Sequence, residues 1–314
     1  MLNLVEIVTI MKELGATTQS RAYDSLYRIP TPGGTDGELA PSYTLGSDLS
    51  VPDSAIKQLE SDGVVCLRNV LDPTTVEALR DEADNAVENP SEHARFVSGP
   101  DDGGIFYYEF NLWRRHPVIR SATFNSHIPD VAAQLMRSDS VTLYYTNTFV
   151  KDPGTDAKVT PWHEDASYSR FVGMNVINMN ISFDFMPAET TLKFKQGSHA
   201  RMDPLSVGPT FIPGVEYRES MPEQTPMPSL EELESRFPTI FWEVNPGDAL
   251  IFYQRTFHAG PGNTLKTRRH STAFNFAGDD VTYDAREGFI DSPDVDVTLQ
   301  HGDHPAGQVF PKLR

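Results

Sequence analysis

Apolar and polar positions divide the chain into a helical first half and a strand-rich second half. Val76, Leu79, Ala83 and Val87 recur at helical spacing behind Asp72-Pro73, an N-cap followed by proline at the first helical position. This spacing predicts a helix over 73–88. Upstream, Ile56 and Leu59 suit a short helix ended near Gly63, then a strand through Val64, Val65 and Leu67. Residues 129–137 read as helical. Beyond them β patterns dominate, with candidate strands at Val141–Val150, Val176–Phe185, Ala249–Phe257 and Ser271–Ala277, punctuated by Asp-Pro-Gly, Gly-Ser-His and Pro-Gly-Asp turns. Helices first and strands later, without regular alternation, argue against a doubly wound sheet. They suit a mainly β domain, an antiparallel barrel or sandwich with flanking helices on one side.

The flanks read differently. Residues 1–50 are expected to form a loosely organised N-terminal arm, with a short helix at about 4–14 and an extended stretch over 28–50, dense in Pro, Gly, Ser and Thr. One domain is expected over 51–290, interrupted by a Pro- and Glu-rich insertion at about 203–238 with a short helix from Ser229. Residues 291–314 read as a polar tail. Residues 100–113 combine a glycine-containing start with five aromatics, suiting either a cluster that pins a helix to the sheet or a substrate-facing wall that includes Trp113.

Composition narrows the partners. Of 314 residues, 44 are acidic and 26 basic, giving a net charge of −18 and an isoelectric point near 4.8. A field of that sign repels phosphate backbones and anionic membrane surfaces, so neither nucleic acid nor membrane is an expected partner. Cys66 is the only cysteine, which excludes an intrachain disulfide and a thiolate zinc site and fits a reducing compartment. Its apolar surroundings suit a small core residue. The N-terminal run carries Glu6 and no basic lead, and no apolar window is long enough for a membrane helix, so the cytoplasm is the expected location. Oligomeric state is left open.

The chemistry concentrates in Pro-Trp-His-Glu-Asp-Ala-Ser-Tyr (161–168). In a strand, residues i and i+2 share a face, so His163 and Asp165 project together. His258 ends the apolar run 248–258 before Ala-Gly-Pro-Gly-Asn, a turn that sets it at a barrel mouth. Two histidines and one carboxylate with the opposite side open suit non-haem Fe(II) and its chemistry with oxygen. Arg269 follows His258 by eleven residues, with Ser271 on its strand face. A guanidinium beside a hydroxyl is what the tail of a dicarboxylate needs.

His163-x-Asp165, His258 and Arg269, together with Asp62–Leu71 and the helix after it, Phe149–Gly154 and Lys195–His199, resemble the phytanoyl-CoA dioxygenase family of Fe(II)- and 2-oxoglutarate-dependent oxygenases. The resemblance covers roughly 51–290. It implies a double-stranded β-helix, also called a jelly roll, of cupin-like form. It also implies iron held by His163, Asp165 and His258, and 2-oxoglutarate and O2 as co-substrates. Arg269 would hold the distal carboxylate, with Ser271 as a helper and Asn147, on the preceding strand, within reach of the co-substrate. The implied reaction is hydroxylation or another oxidation of a small-molecule substrate, with release of succinate and CO2. An aspartate at 165 fits this better than halogenation, which leaves the carboxylate position to chloride.

The chain departs from the family in places. Many members carry a tryptophan on the strand that corresponds to 176–185, where this chain reads Asn-Met-Asn-Ile-Ser, and the usual Pro-Gly-Ser-His is Gln196-Gly197-Ser198-His199. Arg268 precedes Arg269, and only one of two adjacent strand residues can enter a barrel. Tyr168 and Phe171 are candidate substrate-wall residues. Trp162 reads as packing, His199 as part of a turn, His301 and His304 as solvated; Glu164 should point away from the metal and His270 outward. Two rivals compete with the oxygenase reading. A non-catalytic jelly-roll protein could keep the site for metal or ligand binding; a zinc hydrolase could use the three ligands, but has no need of Arg269.

Overall fold

In the computed structural model the described residues are 24–29, 39–155, 158–208, 224–286, 297–307 and 309–314. The expected arm helix at 4–14 lies outside them, as do parts of the arm, of the 203–238 insertion and of the tail. The helices are α1 (Asp53–Asp62), α2 (Pro73–Glu88), α3 (Pro117–Phe124), α4 (Ile128–Met136) and α5 (Leu230–Arg236). Asp72 caps α2, accepting the Thr75 N–H at 3.0 Å, and Val76, Leu79, Ala83 and Val87 line its buried face. Helix α1 stops at Gly63, whose φ of 80° lets its N–H return to the Leu59 carbonyl. Among the described residues no helix is long and apolar enough to cross a membrane.

The strands in chain order are β1 (Ser42–Thr44), β2 (Val64–Arg68), β3 (Arg95–Ser98), β4 (Phe106–Phe110), β5 (Thr142–Lys151), β6 (Thr160–His163), β7 (Phe171–Val172), β8 (Val176–Ser182) and β9 (Lys193–Lys195). They continue with β10 (Ser206–Val207), β11 (Thr225–Pro226), β12 (Thr239–Ile240), β13 (Ala249–Tyr253), β14 (His258–Gly260), β15 (Arg269–Ala277) and β16 (Thr282–Tyr283). A major sheet runs β1-β2-β13-β8-β15-β5-β4-β3, and a minor sheet runs β12-β9-β14-β6. All pairs in both are antiparallel except β1 with β2. The sheets face each other: Phe194 of β9 and His258 of β14 contact the Phe252 ring of β13 at 5.0 and 4.5 Å between centroids. This is the double-stranded β-helix the sequence led us to expect.

Alternation sorts the major sheet. Val65, Leu67, Tyr107, Leu143, Val150, Ile177, Met179, Ile181, Ala249, Ile251, Phe274 and Phe276 pack beneath α1 to α4. Val64, Cys66, Leu250 and Phe252 face inward and meet Phe194 and Trp242 of the minor-sheet side. Cys66 is fully buried there, and burial pushes its thiol up to about 12, in keeping with a core residue.

Three features add to the expected organisation. The segment read as extended arm supplies β1, paired with β2 in register Tyr43 with Leu67, and Pro41 accepts the Trp242 indole N–H at 2.9 Å. The tail docks through Phe310, which packs on Phe171 and Tyr283, and through a bridge between Lys312 and Thr142. The aromatic segment 100–113 contributes strand β4 rather than a helix-pinning cluster alone. Helix α5 does begin at a capping box on Ser229, whose hydroxyl accepts the Glu232 N–H.

Candidate metal centre

Strand β6 ends at His163 and gives way to a 3₁₀ turn that begins at Asp165. Strand β14 begins at His258, directly opposite His163 in the β6–β14 register. Asp165 Oδ1 lies 3.4 Å from His163 Nε2 and 3.8 Å from His258 Nε2. Donor atoms of all three residues lie within 4.8 Å of one another. First-row divalent ions bond such donors at about 2.0–2.2 Å, so donors less than about 4.4 Å apart can share one ion. Each Nδ1 is used elsewhere: His163 Nδ1 donates to the Pro161 carbonyl at 2.8 Å and His258 Nδ1 to Thr256 at 3.0 Å. That tautomer leaves both Nε2 lone pairs aimed at the common point, the usual way a protein fixes an imidazole ligand.

Electrostatics favour a cation here. Burial, reinforced by His163, pulls His258 down to about 4, so its imidazole is neutral and free to ligate. Burial would raise Asp165, but His258 and His163 outweigh it and hold its carboxyl below the ordinary range. The other carboxylate oxygen accepts from Asn178 Nδ2 at 3.4 Å. The residues therefore fit an Fe(II) ion.

Register maps the inner face of the major sheet below this point. One row crosses Tyr145, Asn275, Asn178 and Phe252; the next crosses Phe110, Asn147, Ala273, Asn180 and Leu250. Then come Tyr108, Phe149, Ser271 and Ser182, and finally Phe106, Lys151 and Arg269. Buried Asn147 Oδ1, Asn178 Oδ1 and Asn275 Nδ2 have no hydrogen-bond partner among the described residues. Unpaired buried amide groups each cost about 1–3 kcal/mol, which marks this face as a place where a ligand completes the bonding. Arg269 is buried in the last row, with Nη1 donating to the Thr190 carbonyl and Nη2 to Pro261 at 3.3 Å. Burial pulls it down to about 10, and no carboxylate pairs with it among the described residues. Arg268 turns the other way, bound by Asp84 of α2 and Asp152, both at 2.6 Å. The guanidinium inside the barrel is Arg269.

The family model of phytanoyl-CoA dioxygenase matches residues 59–271, more than half of the chain. The chain belongs to the phytanoyl-CoA dioxygenase family. It is accordingly an enzyme of the Fe(II)- and 2-oxoglutarate-dependent class. Among solved structures it is similar to SnoK, a non-heme α-ketoglutarate-dependent carbocyclase from nogalamycin biosynthesis. The TM-score is 0.66 at 21% identity, covering 84% of this chain and 97% of that one. It is also similar to the epimerase SnoN in complex with Fe3+, α-ketoglutarate and nogalamycin RO, with TM-score 0.66, 20% identity and coverages of 83% and 98%. EctD from S. alaskensis, with 2-oxoglutarate and 5-hydroxyectoine, gives TM-score 0.59 at 20% identity, with coverages of 88% and 95%. At these identities the likeness speaks for the fold. No curated protein matches the chain.

Within this phytanoyl-CoA dioxygenase family member, Ser271 shares the inner face with Arg269, and Asn147 stands between Phe110 and Ala273. Tyr168 is half-buried at the end of the turn that carries Asp165, its hydroxyl donating to Gly208 at 2.8 Å. Two substrate candidates are corrected. Phe171 is stacked on Tyr144 at 3.8 Å and packed by Phe310, inside a satellite core. Trp113 lies in the helix-side core against Phe124 at 5.0 Å, under the Arg114 guanidinium, on the far face of the sheet from the metal ligands.

The other histidines are occupied elsewhere. His199 stacks on Tyr253 and bonds Glu60 O, while His270 faces out of the barrel yet is buried between Asp184 and Asp84. Glu164 points away from the ligands and pairs with Arg201. The residues that sequence reading missed are Asn178, Tyr145, Asn275 and Lys151. The spacing of Asn178 and Asn180 by two, on a strand noted only for its lack of tryptophan, was the available signal.

Proposed function

We propose that this enzyme couples oxidative decarboxylation of 2-oxoglutarate to the oxidation, most simply the hydroxylation, of a small organic substrate, with release of succinate and CO2. His163, Asp165 and His258 would hold the ferrous ion. When bound, that ion supplies the activation of oxygen. Asn178 orients the free oxygen of Asp165. Arg269 would anchor the distal carboxylate of 2-oxoglutarate, with Ser271 as a helper on the same face, and Asn147, between Arg269 and the metal ligands, would be within reach of the co-substrate. Tyr108, Phe110 and Phe149 keep bulk water from the inner face, where a reactive oxidant would otherwise be quenched.

One observation carries the reading: three ligand atoms converge at one end of a barrel face that holds at the other a buried guanidinium with no carboxylate in ion-pair contact among the described residues. Small molecules are the substrate class, in line with the nogalamycin compound and 5-hydroxyectoine bound by SnoN and EctD. The test is anaerobic addition of Fe(II) and 2-oxoglutarate, followed by oxygen with a panel of small metabolites. A weak visible charge-transfer band and substrate-stimulated succinate are expected. His163→Ala and Asp165→Ala should abolish both. Arg269→Ala should raise the 2-oxoglutarate requirement about 100-fold or more, since a buried charged partner is lost. A wild-type enzyme that forms no such chelate would overturn the proposal.

A further inference from the structure

The inner-face row beside the metal ligands runs Tyr145, Asn275, Asn178 and Phe252 across four adjacent strands. Two contacts fix its place. Asn178 Nδ2 donates to Asp165 Oδ2 at 3.4 Å, and the Phe252 ring lies 4.5 Å from that of His258. An ionised carboxylate only accepts, so Asn178 must turn its NH2 to Asp165 and its oxygen away. Asn178 Oδ1 is thus an acceptor without a partner among the described residues. Asn275 Nδ2, directly opposite in register, is a donor in the same position.

Directly opposed residues hold their Cβ atoms about 4.5–5.5 Å apart, yet these two amides do not bond each other. Their side chains are buried, at 9% and 4% exposure, so bulk water does little to satisfy them. A buried asparagine with a structural task looks different. Asn263 Nδ2 donates to the Lys151 and Thr267 carbonyls, both at 2.9 Å, and its Oδ1 accepts the Leu265 N–H at 3.1 Å. An acceptor and a donor side by side call for a group that gives one hydrogen bond and takes one, which a hydroxyl does through a single oxygen. The rest of the row describes the body of the ligand. Tyr145 is half-buried and meets Phe110, also half-buried, edge to face at 5.3 Å. Inward-facing rings that keep solvent contact beside a metal centre form an apolar wall for a ligand, and aromatic faces favour ring-bearing partners. The row holds no charged side chain, and Asp165 beside it is committed to the ion. A carboxylate, phosphate or ammonium would be buried here without a counter-charge.

We propose that Asn178 and Asn275 together read a neutral hydroxyl on the primary substrate, next to the carbon that is oxidised, while Tyr145 and Phe110 hold its apolar ring system. The proposal rests on the oxygenase reading given above. It adds the substrate class, an uncharged ring-bearing alcohol, and names Asn275 as a specificity-determining residue.

The test is calorimetric titration of the full-length protein, loaded with Fe(II) and 2-oxoglutarate in the absence of oxygen. Four probes share one bicyclic skeleton: 1-tetralol, tetralin, 1-aminotetralin and tetralin-1-carboxylate. Wild type should bind the alcohol about 10-fold or more tighter than each of the other three. Asn275→Leu should bring the alcohol to within about 3-fold of tetralin and leave tetralin itself unchanged. Asn275→Asp keeps the shape but replaces the donor with a negative acceptor, and should prefer the ammonium probe to the alcohol. A wild type that binds none of the probes, or binds a charged probe or tetralin as well as the alcohol, would overturn the proposal. Equal loss of alcohol and tetralin in Asn275→Leu would show a structural role only and overturn it too. If Asn275→Leu does not fold, an Asn275→Asp protein that still prefers the alcohol would do the same. Absence of the charge-transfer band in wild type is a separate outcome, which removes the oxygenase reading itself and this proposal with it.

Discussion

Glu164 separates the two ligands His163 and Asp165 in sequence and faces the opposite way, into an ion pair with Arg201 whose side chains are 0% and 2% exposed. Its Oε1 also accepts the Ser206 N–H at 2.6 Å. Arg201 Nη1 donates to Ser198 O at 2.9 Å and to Arg255 O at 2.8 Å, and its guanidinium lies 4.0 Å above the Phe257 ring. Glu164→Ala would strand that cation among carbonyls and leave the Ser206 N–H without its acceptor. Breaking one side of a buried pair costs about 3–5 kcal/mol, a large part of a typical total stability of about 5–15 kcal/mol. At about 2 °C per kcal/mol for a chain of this size, the midpoint should fall by about 6–10 °C.

Burial pushes the Glu164 carboxyl up even against the pull of Arg201. Desolvation therefore consumes most of what the pair gains, and an apolar replacement of both partners should be tolerated. The double variant Glu164→Leu/Arg201→Met is expected to recover most of the loss. Thermal and urea unfolding of the wild type, the two single variants and the double variant complete the cycle. A single-variant cost below about 1 kcal/mol, or a double variant no better than Glu164→Ala, would refute the reasoning.

Three further outcomes follow from local geometry. Gly63→Ala should destabilise by about 2 kcal/mol or more in urea unfolding, because φ is +80° and the new Cβ would stand 2.4 Å from His199 Nδ1. Asn178→Leu removes the amide that steadies Asp165 Oδ2 and should weaken Fe(II) binding about 10–100-fold in a competition titration; affinity equal to wild type would count against its orienting role. Asp279 is held down to about 2 by the hydroxyls of Ser140 and Ser138, against an ordinary value of 3.8. Its folded-state value is depressed, so its stabilisation is present above pH 3.8 and lost as pH falls through 2. The urea-midpoint gap between wild type and Asp279→Asn should therefore close across that window, and a gap that persists at pH 2 would contradict the assignment.

Much of the fold was legible because several elements carry undiluted local signals. Helix α2 announces itself through Asp72-Pro73 and an unbroken apolar face, and the observed span Pro73–Glu88 is the one expected. Strands β5, β8 and β15 were expected within a few residues of where they lie. Strand β4 was obscured because consecutive aromatics at 106–108 hide the alternation that sends Tyr107 to the helices and Phe106 and Tyr108 inward. Strand β1 has three half-exposed or exposed residues and no apolar period to betray it; it exists because β2 offers an edge.

The site shows the same division. His163, Asp165 and His258 could be singled out from spacing, whereas Lys151 could not. An isolated lysine at a strand end reads as solvent-facing until pairing sets it opposite Arg269. Phe171, singled out for its place just past the motif, and Trp113, singled out from an aromatic-rich segment, lie in core clusters, because neither signal says which side of a sheet a ring occupies.

The direct register of His163 with His258 has a mechanical side. β6 and β14 are short, four and three residues, and their pairing is irregular after the first register position. An ion gripping one residue from each would act as a rivet across this irregular seam of the smaller sheet, adding stability in proportion to RT ln(1 + [Fe]/Kd). Iron scarcity would then loosen the very strands that recapture the metal, so that loading and local folding become a single equilibrium.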